Sequence, residues 1–89
     1  MSSNGRVAIV TGGGSGIGKH SALALLGDGY SVTIAGRRPG PLKETVKEAG
    51  AGERLLAVPT DVGDPDSVKA LFARSMEAHG RLDVLFNNA

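Results

Sequence analysis

Two hydrophobic periodicities alternate along the sequence. Short apolar runs rich in β-branched residues, at positions 6–11, 31–35, 54–59 and 82–86, have the pattern of buried strands. Between them, at positions 16–28, 41–49 and 65–79, apolar residues recur every three or four positions, as on one face of an amphipathic helix. The alternation of strand and helix predicts an α/β fold in which parallel strands are joined by right-handed helical crossovers.

The third predicted helix has the clearest start and the clearest apolar face. Asp64 is suited to cap its N-terminus, and Pro65 is suited to its first position, where the missing N–H costs nothing. Leu71, Phe72 and Met76 follow at helical spacing. We therefore expect these three side chains to form part of the core.

The length and composition are those of one ordinary globular domain. The 89 residues are 40% hydrophobic and 21% charged, and ten Lys and Arg residues against nine Asp and Glu residues give a net charge of +1. This balance argues against nucleic acid or an anionic membrane as the main partner. No apolar run reaches the ~18 residues of a membrane span. The first residues lack the features of a signal peptide, so we expect a cytoplasmic protein with no membrane partner.

The residue types that bind metals or form disulfides are scarce. The sequence has no cysteine, which excludes a disulfide framework, a thiolate metal site and a cysteine nucleophile. Its two histidines, His20 and His79, are far apart in the chain. We expect no metal site, and we expect neither histidine to act in catalysis.

A glycine-rich loop separates the first strand from the first helix. Fourteen of the 89 residues are glycine, about twice the usual ~7%, and five of the fourteen fall between positions 12 and 18. A helix N-terminus presents unpaired N–H groups and a partial positive charge, and glycines let a pyrophosphate approach the backbone closely. The candidate phosphate-binding residues are Gly12, Gly13, Gly14, Ser15, Gly16, Ile17 and Gly18.

The spacing within this loop narrows the class of phosphate site. The glycines at positions 12, 16 and 18 follow the pattern G-x-x-x-G-x-G, with the preceding strand and following helix that a dinucleotide loop requires. A Walker A loop is excluded because His20 stands after Lys19, where Ser or Thr is needed. A merely flexible glycine-rich turn is the alternative interpretation.

The ends of the second and third strands carry further candidate contacts. NAD-binding units usually place a carboxylate after the second strand to hold the ribose hydroxyls, but here Arg37 and Arg38 follow it. An arginine fork binds a 2′-phosphate, so this pair favours NADP over NAD, the alternative being two solvated arginines. Asp61 and Val62 come after the third strand, where a carboxylate can accept a hydrogen bond from an exocyclic amine such as that of adenine. An Asp in such a loop is more often part of a turn.

Three motifs in sequence order resemble those of the short-chain dehydrogenase/reductase family. They are Thr11-Gly12-x-x-x-Gly16-Ile17-Gly18, Asp61-Val62 and the segment from Leu82 to Ala89, whose last three residues resemble the family's Asn-Asn-Ala-Gly. The resemblance covers essentially the whole chain. It implies a Rossmann-type doubly wound parallel sheet, of which residues 1–89 are the first half, with strand order 3-2-1-4.

The resemblance also implies a role for each motif in binding a nicotinamide dinucleotide. The glycine loop would hold the pyrophosphate and the adjacent ribose, Asp61-Val62 would contact adenine, and Asn88-Ala89 would line the adenosine ribose region. Asn87 would brace the sheet. Arg37, assisted by Arg38, resembles the NADP-preferring members, so NADP is the expected cofactor and NAD is possible.

The catalytic part of the family pattern is absent from this sequence. Intact members transfer a hydride between the nicotinamide and a carbonyl or alcohol, with the proton chemistry carried by a Tyr, a Lys four residues later and a Ser. The only tyrosine, Tyr30, has Ile34 four positions on, so we assign no catalytic residue and expect Tyr30 to pack at a helix–strand junction. We interpret the chain as the partial cofactor-binding domain of a longer, homo-oligomeric enzyme. A stand-alone nucleotide-binding module and an inactive truncated product are the alternatives.

Overall fold

Four parallel strands and three helices alternate along the chain. The computed structural model describes residues 5–12 and 16–87. The strands are β1 (Val7–Thr11), β2 (Ser31–Gly36), β3 (Leu55–Pro59) and β4 (Val84–Phe86), and the helices are α1 (Gly16–Gly27), α2 (Pro39–Ala49) and α3 (Pro65–His79), with a short 3₁₀ turn at Gly52–Arg54. The sheet order is β3-β2-β1-β4, which confirms the predicted parallel sheet and the order 3-2-1-4. No helix in the described part of the chain is both long and apolar enough to cross a membrane.

The two faces of the sheet carry separate cores. The core on the side of α1 and α2 consists of Ala8, Val10, Ala22, Leu26, Tyr30, Val32, Ile34, Leu42 and Leu55. The core on the side of α3 is smaller and consists of Ile9, Ala35, Val58 and Leu71. Alternate residues of each strand fall into different cores, as the pleat of a sheet buried on both faces requires. Tyr30 packs between α1 and β2, as predicted.

The fourth strand is shorter than the sequence pattern predicts, because Asp83 joins β1 partly through its side chain. The backbone N–H of Asp83 donates to the Val7 carbonyl at 2.9 Å, while its Oδ2 accepts the Val7 N–H at 2.9 Å. The carboxylate thus takes the place of a ladder carbonyl, and regular pairing begins only at Val84. The predicted starts at Arg6 and Arg54 are also each one residue early, since β1 begins at Val7 and β3 at Leu55.

The prediction that Met76 belongs to the core was wrong. Leu71 and Ser75 are the buried residues of α3, and Phe72 is half-buried beside them. Met76 is 47% exposed, because it lies about 100° around the helix from Ser75. No other helix in residues 5–12 and 16–87 flanks α3 on this face to cover it.

Candidate functional site

The loops that follow β1, β2 and β3 are held side by side at the carboxyl edge of the sheet. The N–H of Gly12, just past β1, donates to the Ala35 carbonyl at 2.7 Å. The N–H of Thr60, just past β3, donates to the Gly36 carbonyl at 2.7 Å. These two bonds carry the hydrogen-bond pattern of the sheet past the strand ends. The sequence-predicted residues at positions 12, 37, 38, 61 and 62 therefore share one edge, where ligands bind in open α/β sheets.

Two glycines of the first loop have backbone conformations that other residues rarely adopt. Gly12 has φ +71° and Gly16 has φ +57°. A Cβ built on Gly16 meets no atom within 4 Å in the described part of the chain. Among the residues that the structure describes, none therefore obstructs Gly16 at the start of α1, where the first N–H groups of a helix have no partner within the helix. The predicted residues Gly13, Gly14 and Ser15 lie outside the described residues.

The other two residues of the loop motif face in opposite directions. Ile17 is 76% exposed at the first turn of α1. Gly18 is buried and begins a stripe that continues through Ala22 and Leu26, spaced four residues apart on the side of α1 that packs on the sheet. The absence of a side chain at Gly18 fits the predicted close approach of helix and sheet.

The arginines that follow β2 are available to a ligand. Arg37 and Arg38 are exposed, and neither makes a hydrogen bond or ion pair with any residue of 5–12 or 16–87. Arg38 is the N-cap residue of α2, and prolines occupy the first and third helical positions, Pro39 and Pro41. Because proline has no N–H, Gly40 is left as the one backbone donor among the first three residues of α2. An anion at this point would depend mainly on the guanidinium groups.

The loop after β3 combines turn chemistry with an exposed surface. Asp61 Oδ1 accepts the N–H of Gly63 at 2.9 Å, so one carboxylate oxygen has the turn role noted as the alternative. Within the described residues, Oδ2 accepts no hydrogen bond. The neighbouring Val62 is 59% exposed. Both residues therefore present surface at the same edge as Arg37.

Ser67 is a positioning residue that the sequence did not single out. Its hydroxyl accepts the backbone N–H of Asp61 at 2.9 Å, and so fastens the loop to the first turn of α3. Asp64 caps the same turn by accepting the N–H of Asp66 at 3.0 Å, which confirms the predicted cap. A serine three residues after an N-cap was the available signal, but such a hydroxyl has several backbone partners within reach.

The ends of β1 and β4 are linked by polar contacts. The Thr11 hydroxyl donates toward the Phe86 carbonyl at 3.3 Å and toward Asn87 Oδ1 at 3.1 Å. Asn87 thus connects two neighbouring strands, in agreement with its expected bracing role. The predicted ribose contacts Asn88 and Ala89 lie outside the described residues.

The two clearly displaced pKa values belong to groups near the opposite, amino edge of the sheet. Hydrogen bonds from Arg81, at 2.6 Å, and from the Val7 N–H hold the pKa of Asp83 below its usual value. Burial lowers the pKa of His79, and the backbone of Val32 opposes that effect more weakly. Across residues 5–12 and 16–87, no three His, Cys, Asp or Glu side chains are grouped as metal ligands.

Comparison with known proteins finds a matching family model and similar short chain dehydrogenases. The family model described as short chain dehydrogenase matches residues 6–89. A short chain dehydrogenase/reductase of Aspergillus oryzae, astE, is 46% identical over 91 aligned positions that cover 100% of this chain and 35% of the relative.

Solved structures agree with the sequence relatives. An actinorhodin polyketide ketoreductase variant with NADPH superposes with a TM-score of 0.89 at 39% identity, covering 94% of this chain and 33% of the ketoreductase. A short chain dehydrogenase/reductase from Burkholderia phymatum in complex with NAD superposes with a TM-score of 0.86 at 38% identity, covering 100% of this chain and 32% of that protein. The chain thus spans about a third of the length of each of these three proteins. Because the family model covers nearly all of it, the chain belongs to the short-chain dehydrogenase family.

Proposed function

We propose that the carboxyl edge of this sheet binds the adenosine and pyrophosphate half of NADP(H). One juxtaposition carries the proposal. Gly16, a left-handed glycine on which a Cβ would meet no atom of the described residues within 4 Å, lies at the N-terminus of α1. Arg37, whose guanidinium has no partner among those residues, follows the neighbouring strand. The first feature suits a pyrophosphate, and the second suits a phosphate on the ribose. Family members of known structure with NADPH or NAD support a nicotinamide dinucleotide as the ligand.

The preference for NADP over NAD rests on charge and on the chemistry of the α2 N-terminus. Strand β2 is followed by Arg37 and Arg38, with no carboxylate to accept hydrogen bonds from the ribose hydroxyls. Pro39 and Pro41 remove two of the backbone donors that could otherwise hold an anion. The arginine forks therefore supply the charge-assisted hydrogen bonds that a 2′-phosphate needs. NAD, which lacks that phosphate, gains nothing from them.

The other predicted residues have complementary roles in this proposal. The backbone from Gly12 to Gly18 surrounds the pyrophosphate, and Ile17 covers it from solvent. Asp61 Oδ2 accepts a hydrogen bond from the adenine amino group, while Oδ1 keeps its turn contact. Val62 packs against the adenine ring. Asn88-Ala89 completes the ribose side of the site.

Hydride transfer between nicotinamide and a carbonyl or alcohol is the activity we propose for a protein that contains this chain. When bound, the cofactor supplies the hydride chemistry through its nicotinamide ring. The residues of this site would hold the adenosine half of the cofactor in a fixed place. The proton chemistry is assigned to residues outside these 89, because Tyr30 is buried in the core and Ile34 stands four positions on. That residues 1–89 are the first part of a longer domain is supported by their matching about a third of each relative. A cytoplasmic location and a homo-oligomeric assembly stay predictions.

Titration calorimetry with NADPH and NADH tests the cofactor assignment. The chain should bind NADPH about 10- to 100-fold more tightly than NADH, which is the range expected for charged hydrogen bonds to one phosphate. Arg37→Asp should remove or reverse this ratio. Arg74→Asp is the matched control, since Arg74 is exposed on α3 and the substitution changes the net charge equally. If both variants kept the wild-type ratio of NADPH affinity to NADH affinity, Arg37 would not be the residue that selects the cofactor.

A further inference from the structure

His79 combines burial with an unpartnered ring nitrogen at the end of α3. The residue is half-buried, and its Nε2 atom has almost no contact with solvent. That nitrogen makes no hydrogen bond in the described part of the chain. Burial disfavours the charged form of the ring and lowers the pKa of His79, although a backbone hydrogen bond with Val32 acts in the opposite direction.

His79 belongs to the line of contact between α3 and the sheet. Leu71 and Ser75 are buried on the same side of α3, and His79 follows Ser75 by one helical turn. The Thr33 hydroxyl donates to Ser75 Oγ at 2.9 Å in the buried interface. Within the described residues α3 is the only helix on this face, so its position depends on these few contacts.

No charged neighbour in the described range stabilises a protonated His79. Among the described residues, the one shown to interact with its ring is Val32, through its backbone, and Arg81 and Asp83, which follow His79 in sequence, are paired with each other. Neither an acid nor a base contributes to the lowered pKa of His79, which arises from burial with the Val32 backbone opposing it. The shift of Asp83 has causes in Arg81, Val7 and Arg6, but none in His79.

We propose that His79 is a proton-sensitive contact that seats α3 on the sheet in neutral solution and releases it in mild acid. The consequence reaches the site because α3 also holds the loop after β3. Ser67, in the first turn of α3, accepts the N–H of Asp61. Tilting of α3 therefore displaces Asp61 and Val62. This last step rests on the proposed nucleotide site, whereas the seating of α3 does not.

The direction of the pH effect follows from the lowered pKa. The unfolded chain takes up a proton at the usual value near 6.5, and the folded chain does so only at lower pH. Folding stability from this group is thus fully present above about pH 6.5 and is lost as the pH falls through the lower folded value. We therefore expect acid sensitivity from this group to begin as the pH falls below about 6.5.

Denaturant unfolding of the full chain at pH 7.5 and pH 5.5 tests the seating of α3. The wild type should lose stability at pH 5.5, and His79→Phe, which keeps a ring of similar shape, should lose less. His20→Phe is the matched control, since His20 is exposed on α1, and it should behave like the wild type. Equal losses in His79→Phe and His20→Phe would overturn the proposal.

Two further measurements cover the remaining outcomes. If His79→Phe does not fold, the titration of His79 in the wild type still tests the proposal. The proton NMR signal of its ring should titrate with a midpoint below pH 6.5, and a midpoint at or above 6.5 contradicts the proposal. NADPH affinity should fall more between pH 7.5 and 5.5 in the wild type than in His79→Phe, and equal falls would refute the link to the site. Absence of NADPH binding at both pH values would contradict the proposed function, while the unfolding data would still decide on His79.

Discussion

The two edges of the sheet use the same residue types in opposite ways. At the amino edge, Arg54 donates from one guanidinium nitrogen to the Leu26 and Tyr30 carbonyls, at 2.6 and 2.8 Å. At the carboxyl edge, Arg37 has no partner among residues 5–12 and 16–87. The first arginine closes the C-terminal end of α1 against the start of β2. Arg37 keeps all its guanidinium N–H groups available to a partner outside the described residues.

The acidic residues show the same contrast. Asp83 at the amino edge uses both carboxylate oxygens, one for the Val7 N–H and the other for Arg81. Asp61 at the carboxyl edge uses one oxygen for a turn, and the other accepts no bond within the described residues. Polar groups that stabilise the fold are thus paired internally, whereas those proposed to bind the cofactor keep capacity for a ligand. The groups without a partner in the described residues lie at the edge where we propose that the cofactor binds.

A pair of glycine substitutions gives the largest expected difference between the edges. Gly16 at the carboxyl edge and Gly50 at the amino edge have nearly the same φ, +57° and +58°. A Cβ on either meets no atom of the described residues within 4 Å. Alanine should therefore cost each position a similar strain, on the order of 1 kcal/mol of folding stability. Gly16→Ala should also weaken NADPH binding more than tenfold by calorimetry, because its Cβ occupies the space proposed for the pyrophosphate.

Gly50→Ala is the control for backbone strain in that experiment. It should lower the melting temperature about as much as Gly16→Ala and leave NADPH affinity unchanged. If both variants lost affinity equally, strain rather than occupation of the site would explain the loss, and the contrast between the edges would not hold at the glycines.

Substitutions of Asp83 and Asp61 should separate folding stability from cofactor binding, with effects smaller than those of the glycine substitutions. Because the folded pKa of Asp83 lies below its usual value, its contribution is present above about pH 4 and is lost as the pH falls through the lower folded value. Asp83→Asn should lower the free energy of unfolding at pH 7. It should also make that free energy depend less on pH in the acid range. Asp61→Asn keeps an acceptor for the Gly63 N–H, so it should leave stability nearly unchanged and weaken NADPH binding about 2- to 10-fold. The reverse assignment of effects would contradict the account.

Hydrophobic periodicity and the local signals for helix ends were sufficient for the elements, whereas the strand order was implied by the family resemblance and is confirmed. The cap at Asp64 was predicted correctly, because Asp64 and Pro65 are local signals for the start of a helix. The exposure of Met76 on α3 was not predicted. It depends on which elements lie beside the helix, and the local periodicity of the sequence contains no information about them. The start of β4 was missed because Asp83 replaces a backbone acceptor with its side chain.

The candidate site could be predicted by type and position but not by partner. The sequence singled out Arg37 and Asp61 as candidate contacts, which stay predictions, and it left open whether Asp61 serves a turn or a ligand. The structure shows the turn bond at one oxygen and none at the other in the described chain. The bond that attaches this loop to α3, from the Asp61 N–H to Ser67, joins residues six apart and has no distinctive sequence pattern. The central glycine-loop positions 13–15 and the last two residues stay predictions.

Backbone NMR of the chain titrated with 2′,5′-ADP tests most directly whether the carboxyl edge is the nucleotide site. This ligand carries the adenosine and the 2′-phosphate that the described residues are proposed to bind, and 5′-AMP is the control without the 2′-phosphate. The account predicts amide shifts at Gly12, Gly16, Arg37, Arg38 and Val62, none at Gly50 or Asp83, and weaker binding of 5′-AMP. Shifts centred on the amino edge, or equal binding of the two ligands with no response at Arg37, would contradict it.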